Sequence, residues 1–231
     1  MAILECRGLS KNYGSKHALN SVAIIVEPGR IVGLLGPNGS GKSTLLKICN
    51  TLLTPTSGTV RINGLVPGIE TKAIVSYLPD VTYLNDWMRV VDLLDFFADF
   101  YTDFDRSKAC DMLASLRIEK RDTLKSLSKG NKEKVQLILV MARSALLYLL
   151  DEPIGGVDPA ARDYILATII KNRDPKASVI ISTHLIADVE QVLDDVIFLK
   201  DGEVVLAEPA DEMRKRHGMS IDAYFREVFK C

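Results

Sequence analysis

The sequence predicts an α/β fold in which a mainly parallel sheet is flanked by helices. Short, continuous apolar runs at 31–35 and 146–150 are typical of strands buried on both faces. Strand-like and helical patterns alternate after residue 145, the order that parallel sheets require. A helical stretch over about 85–145 interrupts this order, and we expect it to be an insertion continuous with the core.

The composition allows a large core and argues against several function classes. The chain has 231 residues, is 47% hydrophobic and carries a net charge of −1, so neither a global basic field nor an acidic tail indicates nucleic-acid binding or disorder. Its four cysteines show no CxxC pair and no metal-ligand spacing: Cys6, Cys49, Cys110 and Cys231. We expect them to be reduced thiols in a cytosolic protein.

No segment predicts a membrane span or a signal peptide. The N-terminus lacks an apolar core segment. The longest apolar stretch, 135–150, is broken by Gln136, Arg143 and Ser144 and is shorter than the ~20 residues that a bilayer demands. We predict a buried helix followed by a buried strand there, and membrane work would need a separate subunit.

The elements follow in order along the chain. The first 30 residues are predicted to be strands, with β-branched residues over 18–26 and a turn at Pro28-Gly29. After the strand at 31–35 we expect a helix over 42–51 and strands at 59–62 and 73–78. The stretch 90–121 is predicted to be helical, with Phe96, Phe97 and Phe100 at helical spacing as a core stripe.

The second half returns to strands. A helix over 130–143 is followed by predicted strands at 146–150, 178–182 and 196–199, which alternate with helices near 160–171 and 187–193. Asp201-Gly202 is a hairpin signal leading to 204–206. Residues 209–230 read as one or two surface helices.

A glycine-rich loop follows the strand at 31–35 and opens a helix. Residues 36–43, GPNGSGKS, fit the pattern GxxxxGK[ST] in full, in the context that a phosphate-binding loop requires. Its backbone N–H groups and helix N-terminus would hold phosphate oxygens. Lys42 would reach the β- and γ-phosphates, Ser43 would ligate Mg²⁺ and Thr44 would contact the α-phosphate. A purely structural turn is the alternative.

An apolar strand ends in two acids, Asp151 and Glu152. In a P-loop ATPase, the first carboxylate holds the Mg²⁺ shell and the second polarises the attacking water. The alternative is that they merely cap the following helix.

The chain resembles the nucleotide-binding subunit of ABC transporters, of the bacterial exporter type, over residues 9–207. Six motifs stand in the order that this family shows, and four of them add to the two above. They are Tyr13 in KNYG, LSKGN at 127–131 where the family usually has LSGGQ, Gly155-Gly156-Val157-Asp158, and Thr183-His184.

The resemblance implies a P-loop NTPase fold with an ABC-type, mainly parallel core sheet, an N-terminal antiparallel β-subdomain and an inserted helical subdomain. It divides a single domain, 1–231, into an α/β core at 1–84 and 146–207, a helical subdomain at 85–145 and a C-terminal helical tail at 208–231. ATP and Mg²⁺ are the implied cofactors.

It also implies a role for each motif. Tyr13 would stack on adenine, and the loop residues Asn38, Gly39, Ser40 and Gly41 would bind phosphates beside Lys42. Glu152 would be the general base, and His184 would hold the γ-phosphate and the water. In a head-to-tail dimer with itself or a similar cassette, Ser128 and Gly130 would contact the partner's ATP, and Asp158 would couple the two sites.

The sequence departs from the family pattern at two places. Asp80 stands where Gln is usual, so we expect a Mg²⁺ ligand that carries a charge, with altered Mg²⁺ affinity or altered coupling to the helical region. Within LSKGN, Lys129 and Asn131 are unusual. Lys129 would add a cation near the other subunit's phosphates, or it would be a solvated surface lysine.

The segment 81–88 lies where the family forms its groove for the membrane subunit. It contains Leu84, Trp87 and Met88, and Trp87 is the sole tryptophan. An interface and core packing are both open for this residue.

The resemblance therefore favours an ATP-hydrolysing subunit that powers a separate transmembrane permease from the cytoplasmic face of the membrane. The cargo by analogy is a toxic compound or an antimicrobial or amphipathic peptide, and no nucleic-acid partner is expected. A soluble role in iron–sulfur cluster assembly is the main alternative. A DNA-repair role would need a long coiled coil, and a translation role would need two cassettes. A defective cassette is disfavoured because Glu152 and His184 are both present.

Overall fold

The computed structural model describes residues 1–229, apart from the side chain of Ala160. Residues 230 and 231, including Cys231 and the end of the predicted tail, lie outside the described residues. The α/β fold is confirmed: the described chain forms a mixed sheet of mostly parallel strands and a smaller antiparallel sheet.

The antiparallel sheet contains the N-terminal strands. Its three strands are β1 (Leu4–Tyr13), β2 (Lys16–Val26) and β4 (Ser57–Ile62), in the order β2-β1-β4. The burial pattern of β2 approaches the alternation of a half-buried strand. This sheet packs through an apolar cluster, which includes Leu4, Leu9 and Leu19, against the main sheet and the first helix.

The main sheet has six strands in the order β5-β6-β7-β3-β8-β9. They are β3 (Ile31–Leu35), β5 (Val75–Leu78), β6 (Leu147–Asp151), β7 (Ser178–Thr183), β8 (Asp195–Lys200) and β9 (Glu203–Pro209). All neighbours pair in parallel except β8 and β9, which form the predicted hairpin through Asp201-Gly202. Strands β3, β6 and β7 are buried along their whole length, as continuous apolar runs predict.

Nine helices accompany the sheets within residues 1–229. They are α1 (Lys42–Cys49), α2 (Ile69–Ile74), α3 (Val90–Phe100), α4 (Arg106–Ser115), α5 (Lys129–Met141), α6 (Pro159–Asn172), α7 (Ile186–Val189), α8 (Ala210–His217) and α9 (Ile221–Phe229). Helices α3 to α5 lie between β5 and β6 in the chain, and α5 is buried from Val135 to Met141. None of the helices in this part of the chain is long and apolar enough to cross a bilayer.

Several predicted boundaries were wrong. The strand predicted over 73–78 begins only at Val75, because α2 ends there. The helix predicted over 90–121 is two helices that end at Ser115. Asp105 caps the second by accepting a 2.9 Å hydrogen bond from the N–H of Lys108, and Arg117 adopts a left-handed φ of 56° that ends it. The helix predicted over 187–193 is the single turn α7.

The aromatic core stripe on α3 was wrong for two of its three members. Phe97 is buried, but Phe96 and Phe100 are 47% and 69% exposed. Residues four apart share one helix face, so Phe96 and Phe100 stack on each other at the surface while Phe97 turns inward. Of the cysteines, Cys6, Cys49 and Cys110 are free thiols, and the first two are buried.

Candidate active site

The predicted phosphate loop joins the end of β3 to α1, and two of its glycines have steric reasons. A Cβ on Gly36 would lie 2.3 Å from the carbonyl oxygen of Leu199. Gly41 caps α1 with a left-handed φ of 108°, and a Cβ there would lie 2.4 Å from the carbonyl of Ala18. Only glycine fits such positions, so the loop can wrap tightly and direct its N–H groups inward.

Lys42 is buried at the first turn of α1. Its Nζ donates to the carbonyls of Gly36 and Pro37 at 2.8 and 3.2 Å and lies 3.5 Å from Oε1 of Glu152. Burial lowers the pKa of the Lys42 ammonium, and the nearby carboxylate of Glu152 opposes this shift. The ammonium is thus held at the mouth of the loop by groups that anionic phosphates can replace.

Asp151 ends β6 and is buried beside α1. Its Oδ1 accepts hydrogen bonds from Ser43 at 3.0 Å and from Ser182 at 2.6 Å. Its Oδ2 is buried without a partner among the described residues. Burial raises the pKa of the Asp151 carboxyl, and the two serine hydroxyls work against that rise.

The neighbouring oxygen atoms of Ser43 and Asp151 fit a Mg²⁺ ion. Mg²⁺ prefers hard oxygen ligands and usually takes one or two carboxylates together with substrate phosphates. The orphaned Oδ2 of Asp151 is a buried acceptor of the right kind. No cluster of three or more His, Cys, Asp or Glu side chains that could hold a metal occurs within residues 1–229, so the phosphates would have to complete the shell.

Glu152 follows directly and turns out of the strand. It has a left-handed φ of 49°, unusual for a residue with a side chain, while its N–H donates to the carbonyl of Ser182 at 2.9 Å. Nδ1 of His184 lies 3.1 Å from both carboxylate oxygens of Glu152. The sheet therefore brings Lys42, Glu152 and His184 together from three separate strand ends.

A cleft of about 530 Å³ opens over these residues. Asn38, Asp80, Glu152 and His184 line it from the core side, as do Gly155 and Gly156. Lys129 and Glu133 of α5 line it from the helical side of the same chain. Asp80 is exposed there, and its charge acts on Asp151 and Lys42.

Lys129 points into its own chain's cleft. The side chain is 80% exposed, and its Nζ lies 3.8 Å from Oε1 of Glu133 and close to Gly156. Ser128 is the N-cap of α5 and accepts a 3.3 Å hydrogen bond from the N–H of Asn131, and Gly130 has open space around its Cα.

The other predicted residues lie around this centre. Gly39 and Ser40 stand in the loop, where Ser40 is buried, and Thr44 is half-buried on the first turn of α1. Tyr13 is about half exposed at the end of β1, with Nζ of Lys11 5.2 Å from its ring centre. Asp158 caps α6 by accepting a 3.0 Å hydrogen bond from Ala161. Tyr13, Ser128, Gly130 and Asp158 do not line the cleft.

Two features were missed from the sequence. Ser182 holds Asp151, and the available signal was a polar pair, Ser182-Thr183, at the end of an apolar strand next to β6. Glu133 lines the cleft, and its position one helical turn after Lys129 was the signal for it. In the segment 81–88, Trp87 is 73% exposed, which excludes core packing for this side chain.

Parallel strands whose carboxyl ends carry a phosphate loop and an Asp–Glu pair define a P-loop ATPase. The sequence model of the family described as "ABC transporter" matches residues 19–155. The chain therefore belongs to the ABC transporter family, as an ATP-binding cassette and an ATPase.

Individual relatives agree with this assignment. EcsA, an ABC-type transporter ATP-binding protein of Bacillus subtilis, is 31% identical, with 100% of this chain and 98% of the relative covered. SkfE of the same organism, a SkfA peptide export ATP-binding protein, is 29% identical, with 89% and 88% covered.

Solved structures agree on the fold. The ATP-binding subunit of an ABC transporter superposes with a TM-score of 0.88 at 30% identity, with 98% of this chain and 99% of that one covered. The cassette MJ0796, solved as a dimer in a post-hydrolysis state bound to ADP and Pi, gives a TM-score of 0.78 at 23% identity, with 89% and 98% covered. This second likeness concerns the fold alone.

Proposed function

We propose that this ATP-binding subunit hydrolyses ATP at the cleft described above in order to drive export by a separate membrane subunit. The observation that carries the hydrolytic part is the convergence of Lys42, Glu152 and His184 at the mouth of the phosphate loop. The alternative for Asp151 and Glu152, a helix cap, has no support, because Asp158 caps the following helix.

The phosphates of ATP would lie along the N–H groups of the loop, with Asn38 at the cleft side. Lys42 would exchange its two carbonyl acceptors for β- and γ-phosphate oxygens, and this charge-assisted pairing would offset the cost of burying its ammonium. Thr44 would face the α-phosphate. Tyr13, half exposed at the end of β1, offers a ring face on which adenine would stack.

Ser43 and Asp151 would hold Mg²⁺, with Asp80 contributing a further carboxylate from the cleft wall. When bound, the ion supplies positive charge to the β- and γ-oxygens. The hydrogen bonds from Ser43 and Ser182 keep the Asp151 carboxylate oriented and favour its ionised form, which a metal ligand requires.

Glu152 would act as the general base. It would take a proton from a water molecule while the water oxygen bonds to the γ-phosphorus and the bond to the β–γ bridging oxygen breaks. The bridging oxygen leaves with the electron pair, so the products are ADP and inorganic phosphate. His184, within hydrogen-bond distance of both Glu152 oxygens, would orient the carboxylate and contact the γ-phosphate.

We infer that two cassettes close around two ATP molecules. The N-terminus of α5, with Ser128 and Gly130 accessible, is a suitable anion contact for a γ-phosphate held by a partner. Asp158 would couple the two sites. The dimeric post-hydrolysis structure of the MJ0796 cassette, a protein of similar fold, supports this arrangement.

The transport role rests on the family, and the export role rests on relatives such as SkfE, which is named for peptide export. The chain would then work at the cytoplasmic face of the membrane, held there by a permease. The cargo that fits these relatives is an antimicrobial or amphipathic peptide or another toxic compound.

An ATPase assay on Glu152→Gln tests the hydrolytic part. We expect a loss of roughly 10²–10⁴-fold in kcat with ATP binding retained, the range typical for a general base. A rate near that of the unaltered chain would refute the role given to Glu152.

Co-purification from detergent-solubilised membranes tests the transport part. A stoichiometric multi-span protein bound to the tagged chain supports it. Recovery with iron–sulfur assembly proteins or ribosomes, and without a membrane protein, would overturn the transport role but leave the ATPase role intact.

A further inference from the structure

A second concave surface lies on the other side of the segment that follows β5. It is a groove of about 460 Å³ between the end of α1, the strand β5 and the helical insertion. We call it the basic groove and define it by Lys47, Leu52, Lys72, Val81 and Tyr83, with Arg143 in its wall.

The basic groove exposes apolar surface. Leu52, Val81 and Tyr83 are 55%, 73% and 52% exposed, although each is a large hydrophobic side chain. Such residues grouped in a concavity mark a protein contact, whereas single exposed ones do not. The groove is thus suited to the apolar face of another segment.

Its charge is one-sided. Lys47 and Lys72 are exposed, and neither ammonium has an ion-pair partner within residues 1–229. No Asp or Glu of this part of the chain lines the groove. An anionic group would therefore find two cations and no repelling carboxylate there.

The wall of the groove is rigid, because its arginine is fully committed. Arg143 is buried, pairs with Asp103 at 3.0 Å, and donates to the carbonyls of Val75, Lys72 and Ala73. Its guanidinium also lies 3.9 Å from the ring centre of Tyr101. Lys47 and Lys72 remain as the cations available to a partner.

We propose that the basic groove receives a short segment of the membrane subunit that carries at least one Asp or Glu beside apolar residues. The inference rests on the proposed function, since it presumes that subunit. An apolar floor with lysines at the rim matches an amphipathic helix laid in a groove, with rim charges setting register and association rate. Val81 and Tyr83 follow Asp80 directly, so the bound segment would contact the loop that lines the catalytic cleft.

The first test uses a zero-length carbodiimide cross-linker on the detergent-solubilised complex of the full chain with its membrane subunit. The reagent joins an amine to a carboxyl group with loss of water. We expect peptides in which Lys47 or Lys72 is linked to an Asp or Glu of the membrane subunit. A membrane subunit that links only to other lysines of this chain would overturn the inference.

The second test compares paired substitutions. We expect Lys47→Glu with Lys72→Glu to reduce co-purification of the membrane subunit by about tenfold or more, since each exposed ion pair is worth up to about a fivefold effect and reversal adds repulsion. Lys47→Arg with Lys72→Arg should retain the subunit. Lys171→Glu with Lys176→Glu, two exposed lysines elsewhere, is the matched control. Melting temperatures would show that each variant is folded.

The outcomes separate the two proposals. If the unaltered chain brings down no membrane protein, the proposed transport function fails. If it brings one down and the Glu pair binds it as well as the unaltered chain does, the transport role stands and the acidic partner segment is refuted. If the Glu pair instead loses only binding to vesicles of anionic lipid, the groove contacts lipid headgroups and the inference is also refuted.

Discussion

The catalytic cleft and the basic groove lie on either side of the same segment, but they balance their charges differently. In the cleft, Lys42 lies near Glu152, and two serines hold Asp151. In the groove, Lys47 and Lys72 meet no carboxylate of the described chain. The cleft is therefore arranged for small charged ligands, ATP and a metal, while the groove lacks counter-charges that a second polypeptide would bring.

The largest expected effect breaks the charge balance of the cleft. Lys42→Met removes the one buried ammonium at the mouth of the loop, so we expect the ATPase rate to fall by about 10²–10³-fold, as when a preorganised donor to a developing charge is deleted. Steady-state phosphate release measures this. Lys176→Met, an exposed lysine far from the cleft, is the control, and an equal loss in both variants would point to a non-specific cause.

The next effect breaks the wall of the groove. Arg143→Met leaves Asp103 and three carbonyls without their buried donor, so we expect the free energy of unfolding to fall by about 3–5 kcal/mol. Denaturant unfolding measures it, with Arg121→Met, at an exposed position, as the control. A loss below about 1 kcal/mol would show that Arg143 does not support the wall.

A smaller effect concerns the orientation of Asp151. Ser182→Ala deletes one of its two hydrogen bonds, and a bond to a charged group is worth about 1.5–3 kcal/mol, or about 10- to 150-fold. We expect the affinity for ATP with Mg²⁺ to weaken by an amount near the lower end of that range, because Ser43 still donates. Ser178→Ala on the same strand removes a hydrogen bond to a neutral carbonyl of Glu27 and should leave the affinity unchanged. Equal affinities in the two variants would contradict the role of Ser182.

Sequence reasoning predicted the cleft better than the groove, for a physical reason. Lys42, Asp151 and Glu152 follow buried strands, and continuous apolar runs mark those strands without any knowledge of tertiary contacts. The assignments of catalytic and binding roles and the division into subdomains remain predictions.

The groove could not be predicted in this way. Arg143 binds carbonyls some 70 residues away in the chain, which no local pattern encodes. The stripe on α3 shows the same limit. Helical spacing indicated that Phe96 and Phe100 could share a face, but only the packing of α3 decides that Phe97 is the one that turns inward.

The smallest expected effect concerns Lys129, at the boundary between the cleft and the helical insertion. Burial raises the pKa of the Glu133 carboxyl, and the ammonium of Lys129 opposes this rise. The folded chain thus binds this proton more tightly than the unfolded chain, so stability from this group falls as pH rises from the unfolded pKa through the folded pKa. Lys129→Met should move the Glu133 titration to higher pH in carboxyl ¹³C NMR and widen that window. Lys132→Met, which removes the partner of Asp86 instead, should not. A Glu133 titration that stays in place or moves to lower pH in Lys129→Met would show that Lys129 is a solvated lysine without influence on the cleft.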